Sequence, residues 1–251
     1  MRIKFSFKTD IGRKKTNNED SYYYSETSGL FGIADGMGGH AGGEVASKIA
    51  ADIIKKCVES AGDKLGKLES IPAFISNIVI KASDSIKEEA RRNPLLAGMG
   101  TTIVQMLCLE DKIYVSNVGD SRCYKLSDLK EFSQVSHDHS QIQEYIDDKI
   151  ITEEQAKTHP MRHIITQAVG YSENLNVRTV VEPYKAGDYY LLCSDGLNDH
   201  FASDAEIKEL FLNALEAGSG DLDAVCAALV DKANDLGGRD NITVMVLKIL
   251  E

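Results

Sequence analysis

Thr101-Thr-Ile-Val-Gln-Met-Leu-Cys-Leu-Glu110-Asp-Lys-Ile-Tyr-Val-Ser-Asn-Val-Gly-Asp120-Ser-Arg-Cys-Tyr-Lys-Leu126 decides the fold class. Its three runs rich in β-branched and aromatic residues, 101–109, 112–118 and 122–126, are parted only by Glu110-Asp111 and Gly119-Asp-Ser121. Links that short cannot carry a helical crossover, so the runs form an antiparallel meander and a purely parallel sheet is disfavoured. Further strand-like runs lie at Leu30 to Ala34, Val177 to Val181, Tyr189 to Cys193 and Ile242 to Ile249.

Helices flank this β-rich centre. Between residues 44 and 58, Val45, Ile49, Ile53, Ile54, Cys57 and Val58 recur at three- and four-residue spacing; between 71 and 90, Phe74, Ile75, Ile78, Val79, Ala82 and Ile86 do the same. Ser203-Asp-Ala-Glu206 reads as a capping box ahead of Ile207, Leu210, Phe211 and Leu215, and a last helix over 221–236 stops at Gly237-Gly238. The polar segment from about 137 to 170 holds two short helical pieces, Gln141 to Asp148 and Thr152 to Lys157, and reads as an insertion over a sheet edge. Asp138 and Ser140 are candidate caps for the first piece. No repeat or composition shift divides the chain, which predicts one domain over 1–251.

The chain of 251 residues carries 28 Lys and Arg against 39 Asp and Glu, a net charge of −11. That balance argues against binding nucleic acid or an anionic membrane, both of which call for a basic footprint. The first ten residues are charged throughout and lack the apolar stretch of a signal peptide, and no run approaches the roughly 18 apolar residues of a membrane span. Five cysteines, odd in number and without a Cys-x-x-Cys pair, predict reduced thiols and a cytoplasmic location.

Gly36-Met-Gly38-Gly-His-Ala41 mimics a dinucleotide-binding fingerprint, but a second helix rather than a second strand follows, and Asp35 would oppose a pyrophosphate. No cysteine has the Arg six positions on that cysteine phosphatases need, and Asp221-Leu-Asp223 reads as the acidic first turn of a helix. What remains is a set of aspartates at strand ends. Asp35-Gly36 ends one run, Gly119-Asp120 another and Asp195-Gly196 a third; Glu19-Asp20 and Asp240-Asn241 each precede one. A single Asp-Gly is an ordinary turn. Were the set to converge, two carboxylates about 4 Å apart would repel by roughly 4 kcal/mol at an effective dielectric near 20. Bound cations relieve that repulsion, and an all-oxygen set suits hard ions such as Mg²⁺ or Mn²⁺.

These residues resemble the PPM (type 2C) metal-dependent protein Ser/Thr phosphatases in their compact bacterial form. The likeness runs through Thr9-Asp-Ile-Gly12 with Asn17-Asn-Glu-Asp20, then Ile33-Ala-Asp35-Gly-Met-Gly-Gly-His40-Ala-Gly-Gly-Glu44 and Gly98-Met-Gly-Thr-Thr102. It continues through Asn117-Val-Gly-Asp120-Ser-Arg122, Asp138-His-Ser140, Leu192-Cys-Ser-Asp195-Gly-Leu197 and Gly237-Gly-Arg-Asp240-Asn-Ile-Thr243. The resemblance implies an α+β fold, a four-layer α-β-β-α sandwich of two central antiparallel sheets, with 137–170 as the family's variable flap. It implies two core Mn²⁺ or Mg²⁺ ions: Asp35 would bridge them, the Gly36 carbonyl would bind the second, and Asp195 and Asp240 would complete the first. Asp20 would act through metal-bound water, and Asp120 with Asp195 matches a third, weaker metal site.

The implied activity is direct attack of a metal-bridging hydroxide on phosphoserine or phosphothreonine in proteins, opposing a Ser/Thr kinase. His40 is the candidate general acid for the leaving oxygen. Where the family carries an arginine for the substrate phosphate this chain has Lys15, a point charge rather than a fork; Arg13 is the alternative cation. His137, His139, His159 and His163 take no role, as histidines of a polar segment are commonly exposed. A monomer is expected. Two other functions use the same residues: a catalytically silent phosphoprotein-binding relative, which should have lost metal aspartates that all stand here, and a phosphatase of small metabolites.

Overall fold

A computed structural model describes residues 2–39, 42–156 and 158–250. The strands are β1 (Ile3–Asp10), β2 (Asp20–Ser25), β3 (Leu30–Met37), β4 (Gly100–Thr101), β5 (Ile103–Leu109), β6 (Lys112–Val118), β7 (Arg122–Ser127), β8 (Glu131–Gln134), β9 (Arg178–Pro183), β10 (Tyr189–Cys193) and β11 (Ile242–Ile249). The helices are α1 (Gly42–Ala61), α2 (Ile71–Arg92), α3 (Gln141–Asp147), α4 (Glu153–Ala156), α5 (Asp195–Asn198), α6 (Asp204–Ala217) and α7 (Leu222–Asp235). One sheet has the order β1-β11-β10-β7-β8; the other runs β2-β3-β5-β6-β9, with β4 paired to β3. All these pairings are antiparallel. Of the meander expected over 101–126 only β5 and β6 pair as a hairpin; the Gly119-Asp-Ser121 link carries the chain into the other sheet, where β7 pairs β10 and β8 instead.

Three apolar clusters separate four layers. Between the sheets, Phe31, Ile33, Val104 and Met106 of one face Tyr190, Leu192, Met245 and Leu247 of the other. α1 and α2 cover the β2-β3-β5-β6-β9 sheet, and α6 and α7 cover the sheet opposite. The α-β-β-α arrangement is therefore the one the motifs implied. In α1 the residues buried deepest are Ala46, Ser47, Ala50 and Ala51 as well as Ile54 and Val58, while Val45, Ile49, Ile53 and Cys57 are only partly buried. Small side chains let the helix axis lie close to β2 and β3, which brings its first turn over their ends. Ile54, fully buried, anchors that packing, and truncation to Ala would cost about 2–5 kcal/mol.

Two strands escaped the sequence reading. In β1, Ile3, Phe5 and Phe7 alternate with Lys4, Ser6 and Lys8, and Phe5 stacks edge-on against Phe31 with centroids 5.0 Å apart. Its lysines suit an edge strand, where charge discourages further pairing. β8 is a short exposed edge beside β7. Two caps also need correction. Ser203 precedes α6 without a side-chain bond, and Glu206 accepts from the Ala202 N–H at 3.2 Å, one residue away from a true capping box. Asp138 does not cap α3, because its carboxylate is held by Arg122, and Ser140 alone caps that helix. Thr152 and Gln155 form a reciprocal capping box at 2.9 and 3.3 Å ahead of α4.

Candidate active site

β2 and β3 pair in a register that sets Asp20 opposite Asp35. The backbone of Asp35 is fixed by Thr101 and Thr102: its carbonyl accepts from the Thr102 N–H and the Thr101 hydroxyl, each at 2.8 Å, and its N–H donates to Thr102 Oγ1 at 3.2 Å. Gly36 lies beneath the start of α1, where a Cβ would stand 2.1 Å from the Gly43 carbonyl oxygen and 2.5 Å from that of Glu19. Only glycine fits, and this close approach holds the end of β3 in place.

The other sheet brings Asp195, at the end of β10, and Asp240, just ahead of β11. Gly196 is as confined as Gly36, since a Cβ would meet the Asn241 carbonyl oxygen at 1.9 Å. Ser194 ties the two sheets: its hydroxyl donates to Asp20 Oδ2 at 2.9 Å and accepts the Thr243 N–H at 3.0 Å. Asn241, almost fully buried, does more. Its Oδ1 accepts the Glu19 N–H at 2.8 Å, and its Nδ2 donates to the carbonyls of Ile11 and Asn17 at 3.0 and 2.9 Å. The loop carrying Glu19 and Asp20 is thus bolted to the start of β11.

Asp20, Asp35, Asp195 and Asp120 converge with too little positive charge among them. Burial raises the Asp35 carboxyl well above its usual range, and the charges of Asp20, Asp195 and Asp120 raise it further. Asp195 is raised by burial and then by Asp120, Asp199 and Asp240. Burial also lifts Asp20, to about 6 despite relief from Thr243 and Ser194, and lifts Asp120 to about 7, with Asp138 and Asp199 adding repulsion. Asp20 Oδ1 and Asp195 Oδ1 are buried with no hydrogen-bond partner. Orphaned anionic oxygens of this kind are costly unless a cation meets them. The donors are all hard oxygens, so the residues fit Mg²⁺ or Mn²⁺, although among the described residues no three Asp, Glu, His or Cys are drawn around one point.

The two cations predicted for a phosphate differ. Lys15 reaches the site, its Nζ 2.6 Å from Asp240 Oδ1. Burial would lower its pKa, yet Asp240, Glu19 and Asp35 outweigh burial and raise it. Arg13 packs by its backbone on the glycine loop, its N–H donating to the Gly238 carbonyl at 2.7 Å, and no contact brings its guanidinium to the aspartates. His40 lies outside the described residues.

The histidines depart from the uniform exposure expected of them. His137 pairs with Asp147 at 2.7 Å and His163 with Asp199 at 2.6 Å, whereas His139 is buried at 8% exposure beside the Asp120 turn. Ser194, Asn241, Thr102 and His139 all organise the site and had no assigned role in the sequence. Each stood next to or within a quoted motif, so position was a signal, but their function depends on contacts across the fold.

Residues 11–229 match the family model described as Protein phosphatase 2C. The chain is 32% identical to the serine/threonine phosphatase stp of Listeria innocua over 245 residues, covering 96% of this chain and 94% of that one. It is 36% identical to the serine/threonine protein phosphatase PstP of Mycobacterium tuberculosis over 252 residues, which is 99% of this chain but only 45% of that protein's length. Its fold superposes on the crystal structure of M. tuberculosis PstP with a TM-score of 0.87, at 32% identity and 99% coverage of both chains. A structure of the PstP catalytic domain in complex with two manganese ions matches with a TM-score of 0.84, at 30% identity and 99% coverage of both. With the motifs in order, the sandwich superposed end to end and the aspartates gathered where its two sheets meet, the chain belongs to the protein phosphatase 2C family and is an enzyme of that phosphatase class.

Proposed function

We propose that this chain, acting as one domain over 1–251, hydrolyses phosphoserine and phosphothreonine in proteins, in opposition to a Ser/Thr kinase, and depends on Mn²⁺ or Mg²⁺. The observation that carries the proposal is the cluster of Asp20, Asp35 and Asp195, mutually repelling and with orphaned buried oxygens. Asp35 would serve both core ions and the Gly36 carbonyl the second, Asp195 and Asp240 would complete the first, Asp20 would act through bound water, and Asp120 with Asp195 would hold a third. When bound, the ions would supply Lewis-acid charge and a nucleophile for direct attack on phosphorus.

The chain's own residues do the rest. Ser194 holds the Asp20 carboxylate, and Asn241, Thr101 and Thr102 fix the backbone that presents Asp20 and Asp35 before substrate arrives, so little reorganisation accompanies reaction. Lys15, a point charge already paired with Asp240 at the site, steers the phosphate. His40 gives a proton to the departing serine or threonine oxygen. The test is phosphate release from a phosphothreonine peptide and from a small aryl phosphate, with Mn²⁺ or with chelator, for the parent and Asp35→Asn. Peptide turnover lost with chelator and in Asp35→Asn is expected. Metal-independent turnover, or full activity in the variant, would overturn the metal reading; turnover of the aryl ester alone would overturn the protein substrate.

A further inference from the structure

From the way the segment entering the flap grips the Asp120 turn, we infer that His139 is a positioning residue for Asp120. The inference rests on the proposed role of Asp120 in a third metal site. Gly119 sits at φ +98, a conformation that favours glycine, and a Cβ there would stand 2.6 Å from the Thr102 side chain. Three hydrogen bonds hold its backbone: Asn117 Nδ2 donates to the Gly119 carbonyl at 3.3 Å, and His139 supplies the other two. The Gly119 N–H donates to His139 Nδ1 at 3.2 Å, and the His139 N–H donates to the Gly119 carbonyl at 2.9 Å.

The two residues before His139 lock the same grip. Asn117 Nδ2 donates to the His137 carbonyl at 2.7 Å, and the His137 N–H donates to Asn117 Oδ1 at 3.3 Å. Arg122 forks onto Asp138 from Nε and Nη2 at 2.9 and 2.7 Å. Residues 137–139 thus run clasped against both arms of the turn that presents Asp120. The Thr102 hydroxyl, which accepts from Asp35, also bonds Ser121 Oγ at 2.7 Å, so a shift of this turn would be felt at the centre of the site. Because Nδ1 accepts, the neutral ring carries its proton on Nε2, which is buried without a partner. A histidine retained at that cost is better explained by the acceptor it offers Gly119 than by packing.

Four variants break or restore the link: His139→Ala removes the acceptor, His139→Asn returns an oxygen close to the place of Nδ1, Asp120→Asn removes the carboxylate, and a fourth combines His139→Ala with Asp120→Asn. Mn²⁺ binding is read from the electron paramagnetic resonance of free Mn²⁺, and phosphopeptide turnover is measured beside it. His139→Ala is expected to weaken the weakest class of Mn²⁺ site about tenfold, as partners of metal ligands commonly do when lost. His139→Asn recovers most of that loss, and the combined variant is no weaker than Asp120→Asn alone. Losses that simply add, or His139→Asn behaving like His139→Ala, would overturn the role of His139. An inactive parent that still binds Mn²⁺ would sink the phosphatase proposal and leave the binding comparison to decide this one.

Discussion

β10 ends in an aspartate at both extremities, and the two could hardly be treated more differently. Asp188, just before the strand, is 2% exposed, but its Oδ2 meets the Lys125 ammonium at 3.3 Å and the Lys185 N–H at 3.0 Å. Lys125 also reaches Glu182 at 3.2 Å, and Glu182 accepts from the Tyr190 hydroxyl at 2.9 Å. Asp195, just past the other end, is less buried, yet one oxygen has no partner and three further aspartates repel it. Burial of a carboxylate does not by itself mark a site. Burial without compensation does, because evolution's simplest remedy, a lysine, has been applied at one end and withheld at the other.

The sharpest way to break this contrast is to neutralise each aspartate. Asp195→Asn should lower phosphopeptide turnover by about a hundredfold, since it removes a charge proposed to hold a metal ion. In chelator the same variant should melt at or above the parent's temperature, since it removes a repelling charge. Asp188→Asn should do the reverse, leaving turnover per folded molecule intact and lowering stability by about 1–3 kcal/mol. Steady-state kinetics and calorimetry on both variants check the pair; an Asp195→Asn that destabilises the chelated protein would show that its charge is compensated after all. Next in size is Lys125→Met. It strands Asp188 and Glu182 together, and a loss of about 3 kcal/mol in urea unfolding is expected with KM unchanged. A stability loss within error would mean that water already carries that cluster.

The same contrast explains what the sequence disclosed. Asp-Gly after an apolar run was visible for Asp35 and Asp195 alike, and the strands β3, β5, β6, β7, β10 and β11 were read near their true bounds because β-branched runs with tight links have few other solutions. β1 was missed although Ile3, Phe5 and Phe7 alternate, because the lysines between them dominate the composition of a short edge strand. Convergence could not be read at all from spacing. It depends on Ser194 bridging the two sheets and on Asn241 fastening a loop 222 residues away, and such long-range bonds leave no local trace. Lys15 was found by position, but its ion pair with Asp240 was not, since nothing near either residue encodes it. A polar segment gives no hint of which of its histidines turns inward, so His139 carries no mark in the sequence that His137, His159 and His163 lack.

The smallest expected effect separates the two ends of β10 by pH alone. Asp20 and Asp120 have pKa values raised from 3.8 to about 6 and about 7 in the folded chain, with burial the leading cause. A raised folded pKa means the folded state holds its proton more tightly than the unfolded state. Stability from that source is complete below the unfolded value and is lost as pH rises through the folded one. Without metal, the melting temperature should therefore fall by a few degrees between about pH 5 and 7.5. Asp10 and Asp147 shift the opposite way, below 3.8, so their contributions change only under more acidic conditions and do not mask the trend. Saturating Mn²⁺ should reverse the slope, because ligation rewards the ionised carboxylates that repulsion penalises. Asp188 pairs with Lys125 instead of facing the repelling aspartates, so Asp188→Asn should lower the melting temperature in chelator and in Mn²⁺ alike. A chelated protein that instead gains stability from pH 5 to 7.5 would show that the aspartates at the site end are compensated as fully as the one at the other.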